Sequence, residues 1–306
     1  EERKENNKTV IVRKAVERRD EASLLENTIN QLDAEDCLRH INGRLYGNDY
    51  EERLFNVAME LCITWMNRIL FLKLLEAQML KYHNGDAIYK FLSITKIHDY
   101  DDLNTLFFQV LARDMGSRTH SIMRDFAYVP YLNSSLFEVT DLESKTIKIN
   151  SLSQRTVLPV LASSVLRNKK RNLQVNALPT LQYLFAFLDA YNFASEGSEE
   201  VQEEAKTLIN ASVLGLIFEK INGHKDGSVF TPGFITMFMC REAITKTVLQ
   251  KFNGYYGWNC TTRIELYNHI DNIVEANELI NSLRLCDPAV GSGHFLVSAL
   301  NELILL

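Results

Sequence analysis

Leu283-Arg284-Leu285-Cys286-Asp287-Pro288-Ala289-Val290-Gly291-Ser292-Gly293-His294-Phe295-Leu296 reads as an apolar, strand-like run that breaks into a glycine turn and reopens as an amphipathic helix. Glycine suits positions 291 and 293 because a chain reversing at a strand end needs backbone angles that other residues resist. A bulky Cβ would also hold a ligand away from the backbone amides. Asp287 falls where the strand should end. A carboxylate there accepts hydrogen bonds from an amino or hydroxyl group and repels phosphate. The third glycine of the dinucleotide fingerprint is missing, since Leu296 stands three residues after Gly293. The loop therefore reads as the site of a nucleoside cofactor without a pyrophosphate, for which S-adenosylmethionine is the candidate.

Upstream, Gly227-Ser228-Val229-Phe230-Thr231-Pro232-Gly233-Phe234-Ile235 reads as a helix start. Thr231 is the N-cap and Pro232 the first helical residue, where a missing N–H costs nothing. Such an end gathers free amides and partial positive charge, which suits the carboxylate of a methionine moiety. Phe230 precedes Asp287 by 57 positions. In this order the two elements resemble the Phe-x-Thr-Pro element and the Asp-Pro-Ala-x-Gly-Ser-Gly-x-Phe motif of N6-adenine DNA methyltransferases. The resemblance implies cofactor contacts from Phe230, Thr231, Pro232, Asp287, Pro288, Ala289, Gly291, Gly293 and Phe295. It also implies double-stranded DNA as partner and direct attack of adenine N6 on the sulfonium methyl, with the base flipped out of the helix.

Three further stretches are similar to the helical region that fused type IIG and type IIS restriction-modification enzymes place ahead of their methyltransferase. They are Asn67-Arg68-Ile69-Leu70-Phe71-Leu72, Pro130-Tyr131-Leu132-Asn133-Ser134-Ser135-Leu136-Phe137-Glu138 and the helix-like run Asn210 to Ile221. Leu70, Phe71, Leu74 and Leu75 are expected in the core in any case. The resemblance spans about residue 50 to Leu306. Type I modification subunits share the Thr-Pro and glycine-loop elements, and a non-catalytic helical scaffold is the alternative of a different class.

The Asn/Asp-Pro-Pro-Tyr/Phe catalytic motif of N6-adenine methyltransferases requires adjacent prolines, and the five prolines here, Pro130, Pro159, Pro179, Pro232 and Pro288, stand apart. No catalytic residue is assigned in this chain. Thirteen residues follow Gly293, too few for the acidic ribose ligand expected about twenty positions beyond a glycine turn. The chain is accordingly expected to be a portion of a longer enzyme, inactive alone. A nuclease would bring Mg2+, and its domain is expected before Glu1. The Glu-x-Lys triplets Glu2-Arg3-Lys4, Glu143-Ser144-Lys145 and Glu204-Ala205-Lys206 read as solvated charge.

With 306 residues, 46% of them hydrophobic, the chain can bury a core in about two domains. Its 33 basic and 39 acidic residues give a net charge of −6, which is not the footprint of a free-standing DNA binder. Local phosphate contact is expected first from Arg167, Lys169, Lys170 and Arg171, and second from Arg13, Lys14, Arg18 and Arg19, both sets read as exposed helix faces or ends. The five cysteines are scattered and the seven histidines do not cluster. This excludes a metal-ligand spacing and points to a reduced, cytoplasmic protein. No signal peptide or membrane helix is expected.

The expected fold is mainly α-helical with a small β-hairpin, followed by the first strand and helix of an α/β Rossmann-like methyltransferase domain. Residues 1–194 form the helical connector, with the hairpin near 126–152 built from Phe137-Glu138-Val139-Thr140 and Thr146-Ile147-Lys148-Ile149. Helices are expected at 156–165, 178–191, 203–222 and 231–252. An acidic linker occupies 195–205, and 206–306 opens the methyltransferase domain, with a strand at 283–286.

Overall fold

The apolar periodicity of residues 54–80 becomes helix α2, Tyr50–Tyr82. Asp49 caps its start by accepting from the Glu52 amide, and Glu51 and Glu52 place negative charge against the positive helix end. Its C-terminus closes where Asn84 (φ 53°) and Gly85 (φ 81°) turn left-handed. There the Gly85 amide donates to Leu80 and the Asn84 amide to Lys81, the paired bonds that satisfy orphan carbonyls at a helix end.

In the computed structural model the described residues are 1–5, 8–132, 134–155, 157–167, 176–193, 208–209, 213, 217, 231, 233–288 and 294–305. They divide into two compact units, Glu1–Asn210 and Ala211–Leu306.

Unit 1 is mainly helical. Antiparallel strands β1 (Glu2–Glu5) and β2 (Lys8–Ile11) precede α1, Leu24–Ala34, whose N-cap is Ser23. Then follow α2, α3 (Tyr100–Thr105), a π-helical run at Leu106–Leu111, α4 (His120–Phe126) and α5 (Asp141–Lys145). Strand β3 (Val157–Pro159) pairs antiparallel with β4 (Ala177–Pro179), and α6 (Thr180–Asp189) fills the range where a helix at 178–191 was expected. Strand β5 (Asn192–Phe193) pairs in parallel with β6 (Leu208–Ile209). The core face of α2 presents Leu54, Val57, Leu61, Trp65, Ile69 and Leu72, all buried, at helical spacing. Phe71 departs from expectation: it falls between core positions and is 37% exposed.

A charge sits inside this stripe. Arg68 and Glu143 are both fully buried at their side chains and pair at 2.5 Å. Arg68 also donates to the backbone carbonyls of Leu136 (2.6 Å) and Glu138 (2.8 Å), and Trp65 Nε1 donates to Glu143 at 2.9 Å. The rings of Phe107 and Phe108, carried by the π-helical run, lie 5.5 and 5.0 Å from the guanidinium carbon. Two stretches picked out separately in the sequence, around Arg68 and around Leu136 to Glu138, are thus one structural unit.

This pairing corrects the hairpin expected near 126–152. The segment instead makes 3-10 turns at Ser135–Phe137 and Ile149–Ser151 on either side of α5. Thr140 and Glu143 form a capping box that starts α5, and Arg68 takes carbonyls that a partner strand would have needed. The β-branched and aromatic residues read as strand, Phe137, Ile147 and Ile149, are buried core instead. The reading of Glu143 as solvated charge is corrected with it, while Lys145 is exposed and pairs with Asp141. The helix expected at 156–165 is also replaced, since Pro159 ends the short strand β3 and the next helical turn begins only at Val165. Leu208–Ile209 is strand rather than helix, and the linker at 195–205 lies outside the described residues.

A second buried network ties α2 to the end of α6. Lys73 lies 2.5 Å from both Glu76 and Asp189, Lys90 reaches Asp189 at 2.8 Å, and the Leu92 amide donates to Glu76 at 2.6 Å.

Unit 2 contains α7 (Gly233–Tyr256), α8 (Arg263–His269), α9 (Ile273–Asn281) and α10 (His294–Ile304). Gly257 (φ 73°) stops α7. Asn253 then pins the following loop by bonds to both backbone groups of Cys260. The expected helix at 231–252 is α7. Residues 283–286 form no strand pairing among the described residues, because no neighbouring strand supplies a ladder.

Replacing Glu143 with alanine strands a buried guanidinium and is expected to destabilise unit 1 by about 3–5 kcal/mol. The double change Arg68→Met, Glu143→Leu costs less than either single change, and denaturant unfolding of the three variants checks the order. Burial by itself would raise the Glu143 carboxyl, but hydrogen bonding and charge from Arg68 hold it below its ordinary value. Burial likewise opposes, and Lys73 overcomes, at Asp189. The unfolded carboxyls therefore take protons first as pH falls. This part of the stability is complete at neutral pH and lost through the acid range below ordinary carboxylate values. A melting curve series from neutral pH downward should show that loss, with a shallower acid limb in Glu143→Gln.

Candidate functional site

The two sequence elements that carry cofactor-like patterns lead into α7 and α10, and unit 2 packs these helices together. Helix α7 buries Thr236, Cys240, Ile244, Val248 and Phe252, one residue per four, and these form a core with Leu266, Ala276 and Ala299. Thr236 Oγ1 donates to the Gly233 carbonyl at 2.8 Å, so the 3.0 Å bond between Thr236 and Ser298 is donated by Ser298. Further along, Arg241 meets Glu302 at 3.1 Å. Thr236 meets Ser298 and the Cys240 thiol meets the Phe295 carbonyl, so the opening turns of the two helices lie against each other. Glu302 is buried and is also approached by Arg263 at 3.5 Å, whose guanidinium reaches the Leu305 carbonyl at 3.4 Å.

Asp287 and Pro288 sit on the segment that runs toward the start of α10. With Met239 and Cys240 of α7 and Phe295 and Leu296 of α10 they line a largely apolar hollow of about 290 Å³. The Cys240 thiol donates to the Phe295 carbonyl at 3.4 Å. Burial pushes that thiol up, and the carboxylates of Glu302 and Asp287 push it further. It is therefore a protonated packing group and not a nucleophile. The donor set fits a nucleoside cofactor with an amino-acid end. Two adjacent helix starts favour a carboxylate, Asp287 can accept from amino or hydroxyl groups, and the hollow beside Asp287 is mostly apolar.

Of the expected cofactor residues, Thr231 lies two positions before α7, Pro288 is exposed and Phe295 packs half-buried against the unit 2 core. Phe230, Pro232, Ala289, Gly291 and Gly293 lie outside the described residues. So do Lys169, Lys170 and Arg171 of the phosphate-contact set, while Arg167 is exposed at the end of a 3-10 turn. In the second basic set Lys14 and Arg18 are exposed, Arg18 at the end of a 3-10 turn, while Arg13 is drawn inward. Arg13 is mostly buried and bonds Glu26 at 2.7 and 3.1 Å and Glu51 at 3.0 Å. Arg18 pairs with Glu1, and Arg19 donates to the Lys14 carbonyl. Of these contacts only the Arg13 pair with Glu26 is largely buried.

His269 stands 3.8 Å from the Cys260 sulfur through Nδ1, but the same nitrogen lies 2.8 Å from the Glu265 carbonyl. It must carry the proton to make that bond, so it cannot act as base for the thiol. Among the described residues no group of three His, Cys, Asp or Glu side chains could hold a metal ion, and no helix is long and apolar enough to cross a membrane. Thr236, Ser298 and Glu302 were not singled out from sequence. Their signal was available as polar residues on otherwise apolar helical stripes, Thr236 in the series with Cys240, Ile244 and Val248, and Ser298 within Phe295-Leu296-Val297-Ser298-Ala299-Leu300.

In an alignment 274 positions long that covers 78% of its length, the chain is 30% identical to a Methanocaldococcus jannaschii protein named "Putative type II restriction enzyme and methyltransferase". The match covers 20% of that protein, so the chain spans about a fifth of this relative. No solved structure matches the chain. The family described as "Domain of unknown function (DUF7814)" matches residues 1–209, nearly all of unit 1 and more than half of the sequence, and the chain belongs to that family.

Proposed function

We propose that the chain is the helical connector and the opening of the methyltransferase domain of a restriction-modification enzyme, one that methylates adenine N6 in DNA. The observation that carries this reading is the side-by-side start of α7 and α10. It brings the helix that follows Thr231 against the helix that follows Asp287 in sequence. The relative's name, which couples a restriction enzyme with a methyltransferase, supports it. On this reading the endonuclease is fused in the same polypeptide, and the Rossmann-like sheet continues from residues 283–286. Further strands would cover apolar side chains now exposed on these helices, among them Phe234 and Phe238 of α7 and Leu300 and Ile304 of α10.

S-adenosylmethionine supplies an electrophilic methyl group on a sulfonium. The residues of this chain bind and orient it. The helix starts at Thr231 and after Gly293 hold the carboxylate end, and Asp287 accepts hydrogen bonds from an amino or hydroxyl group. The apolar hollow beside Cys240 and Phe295 excludes water from that side. Base flipping and the contacts to adenine N6 belong to the Pro-Pro motif, which is not among these 306 residues. Unit 1 supplies a rigid helical body, and double-stranded DNA is the partner of the whole enzyme.

The test is transfer of labelled methyl to DNA by the protein expressed from its complete reading frame, beside the 306-residue chain. The complete protein is expected to yield N6-methyladenine on nucleoside analysis and the shorter chain none. Asp287→Ala in the complete protein should raise the KM for S-adenosylmethionine about tenfold or more, the scale of a lost charge-assisted hydrogen bond. Methylation at cytosine, or no methylation by the complete protein, would overturn the assignment.

A further inference from the structure

The seam between α7 and α10 is apolar along most of its length, through Cys240, Ile244, Val248 and Ala299, but at the helix starts it is made by two hydroxyls. Thr236 is wholly buried and Ser298 8% exposed. Ser298 donates to Thr236, and Thr236 donates onward to the Gly233 carbonyl. Methyl groups of the same volume would satisfy the core at least as well, because a buried hydroxyl pair returns little more than its own desolvation. A hydrogen-bonded pair provides direction instead. It specifies one register between two helices that apolar contacts would allow to slide.

That register is the spacing of the candidate site. Thr236 lies three residues beyond Gly233 and Ser298 four beyond His294, roughly 5 and 6 Å along their helices at 1.5 Å per residue. We propose that Thr236 and Ser298 are positioning residues that set the distance between the starts of α7 and α10, and through it the affinity for cofactor. The proposal rests on the cofactor reading above. Glu302, held between Arg241 and Arg263, fixes the same helix pair about a turn further on and keeps the hydroxyl contact from swinging open.

The test measures dissociation constants for S-adenosylmethionine and S-adenosylhomocysteine by titration calorimetry, with melting temperatures, on the complete protein. Thr236→Val and Ser298→Ala are each expected to weaken binding about tenfold, well inside the loss a displacement near 1 Å can cause. The double variant should bind no worse than the weaker single one, as a shared contact requires. Thr236→Ser should bind as the unaltered protein does. Phe252→Leu, in the core at the far end of α7, should lower the melting temperature without moving either constant, which separates positioning from general destabilisation. Binding within twofold of normal in both Thr236→Val and Ser298→Ala, while Asp287→Ala binds poorly, overturns the positioning role and leaves the cofactor reading standing. If the unaltered protein binds neither compound, the cofactor reading fails and the positioning role with it.

Discussion

A guanidinium cut off from water has to find its partners inside the protein, and Arg68 finds them on segments some seventy residues away in sequence. Its position on the buried stripe of α2 gives it no route to solvent, so the chain between Leu136 and Glu143 must come to it. The turn at Ser135–Phe137, the capping box of α5 and the placement of Phe107 and Phe108 are arranged around that one cation. Removing it would leave Glu143 charged in the core and release the carbonyls of Leu136 and Glu138. The network of Lys73, Glu76, Asp189 and Lys90 applies the same logic a little over one turn along α2 and ties the end of α6 to it.

This use of charge bears on how the protein can meet a polyanion. Arg13, Arg68, Lys73, Arg241 and Arg263 are engaged with carboxylates of the same chain. An acidic balance with these cations engaged internally leaves a weak phosphate footprint. Under the proposed function, the family domain of residues 1–209 then serves as a frame, and sequence reading of DNA falls to other parts of the enzyme.

In unit 2 the geometry is simpler and its consequence more local. Two helices meet at their starts through hydroxyls and further along through an ion pair. Asp287 stands on the segment that runs toward the second of those starts. A site made this way depends on the spacing between two elements far apart in sequence. Residues that touch no ligand can therefore govern it.

Sequence alone determined the features that depend on neighbours along the chain. The long helix α2 was legible because its apolar period recurs from Leu54 to Leu80 on either side of Arg68 and Lys73, and the turns at Gly47 and Asn84-Gly85 because left-handed backbone favours those residues. The Thr-Pro and glycine elements are local sequence patterns, and Pro232 and residues 289–293 lie outside the described residues. The tertiary structure decided what depends on distant partners. Residues 137–149 have strand-like composition, yet they form turns and the short helix α5, because a strand is stable only beside another strand and Arg68 holds the carbonyls of Leu136 and Glu138. Glu143 looked like any surface glutamate, because a charge shows its burial only once its counter-ion, 75 residues away, is in place. The register of α7 on α10 likewise belongs to the fold alone: it is set by Thr236 and Ser298, 62 residues apart in sequence, meeting at a hydrogen bond that neither helix makes by itself.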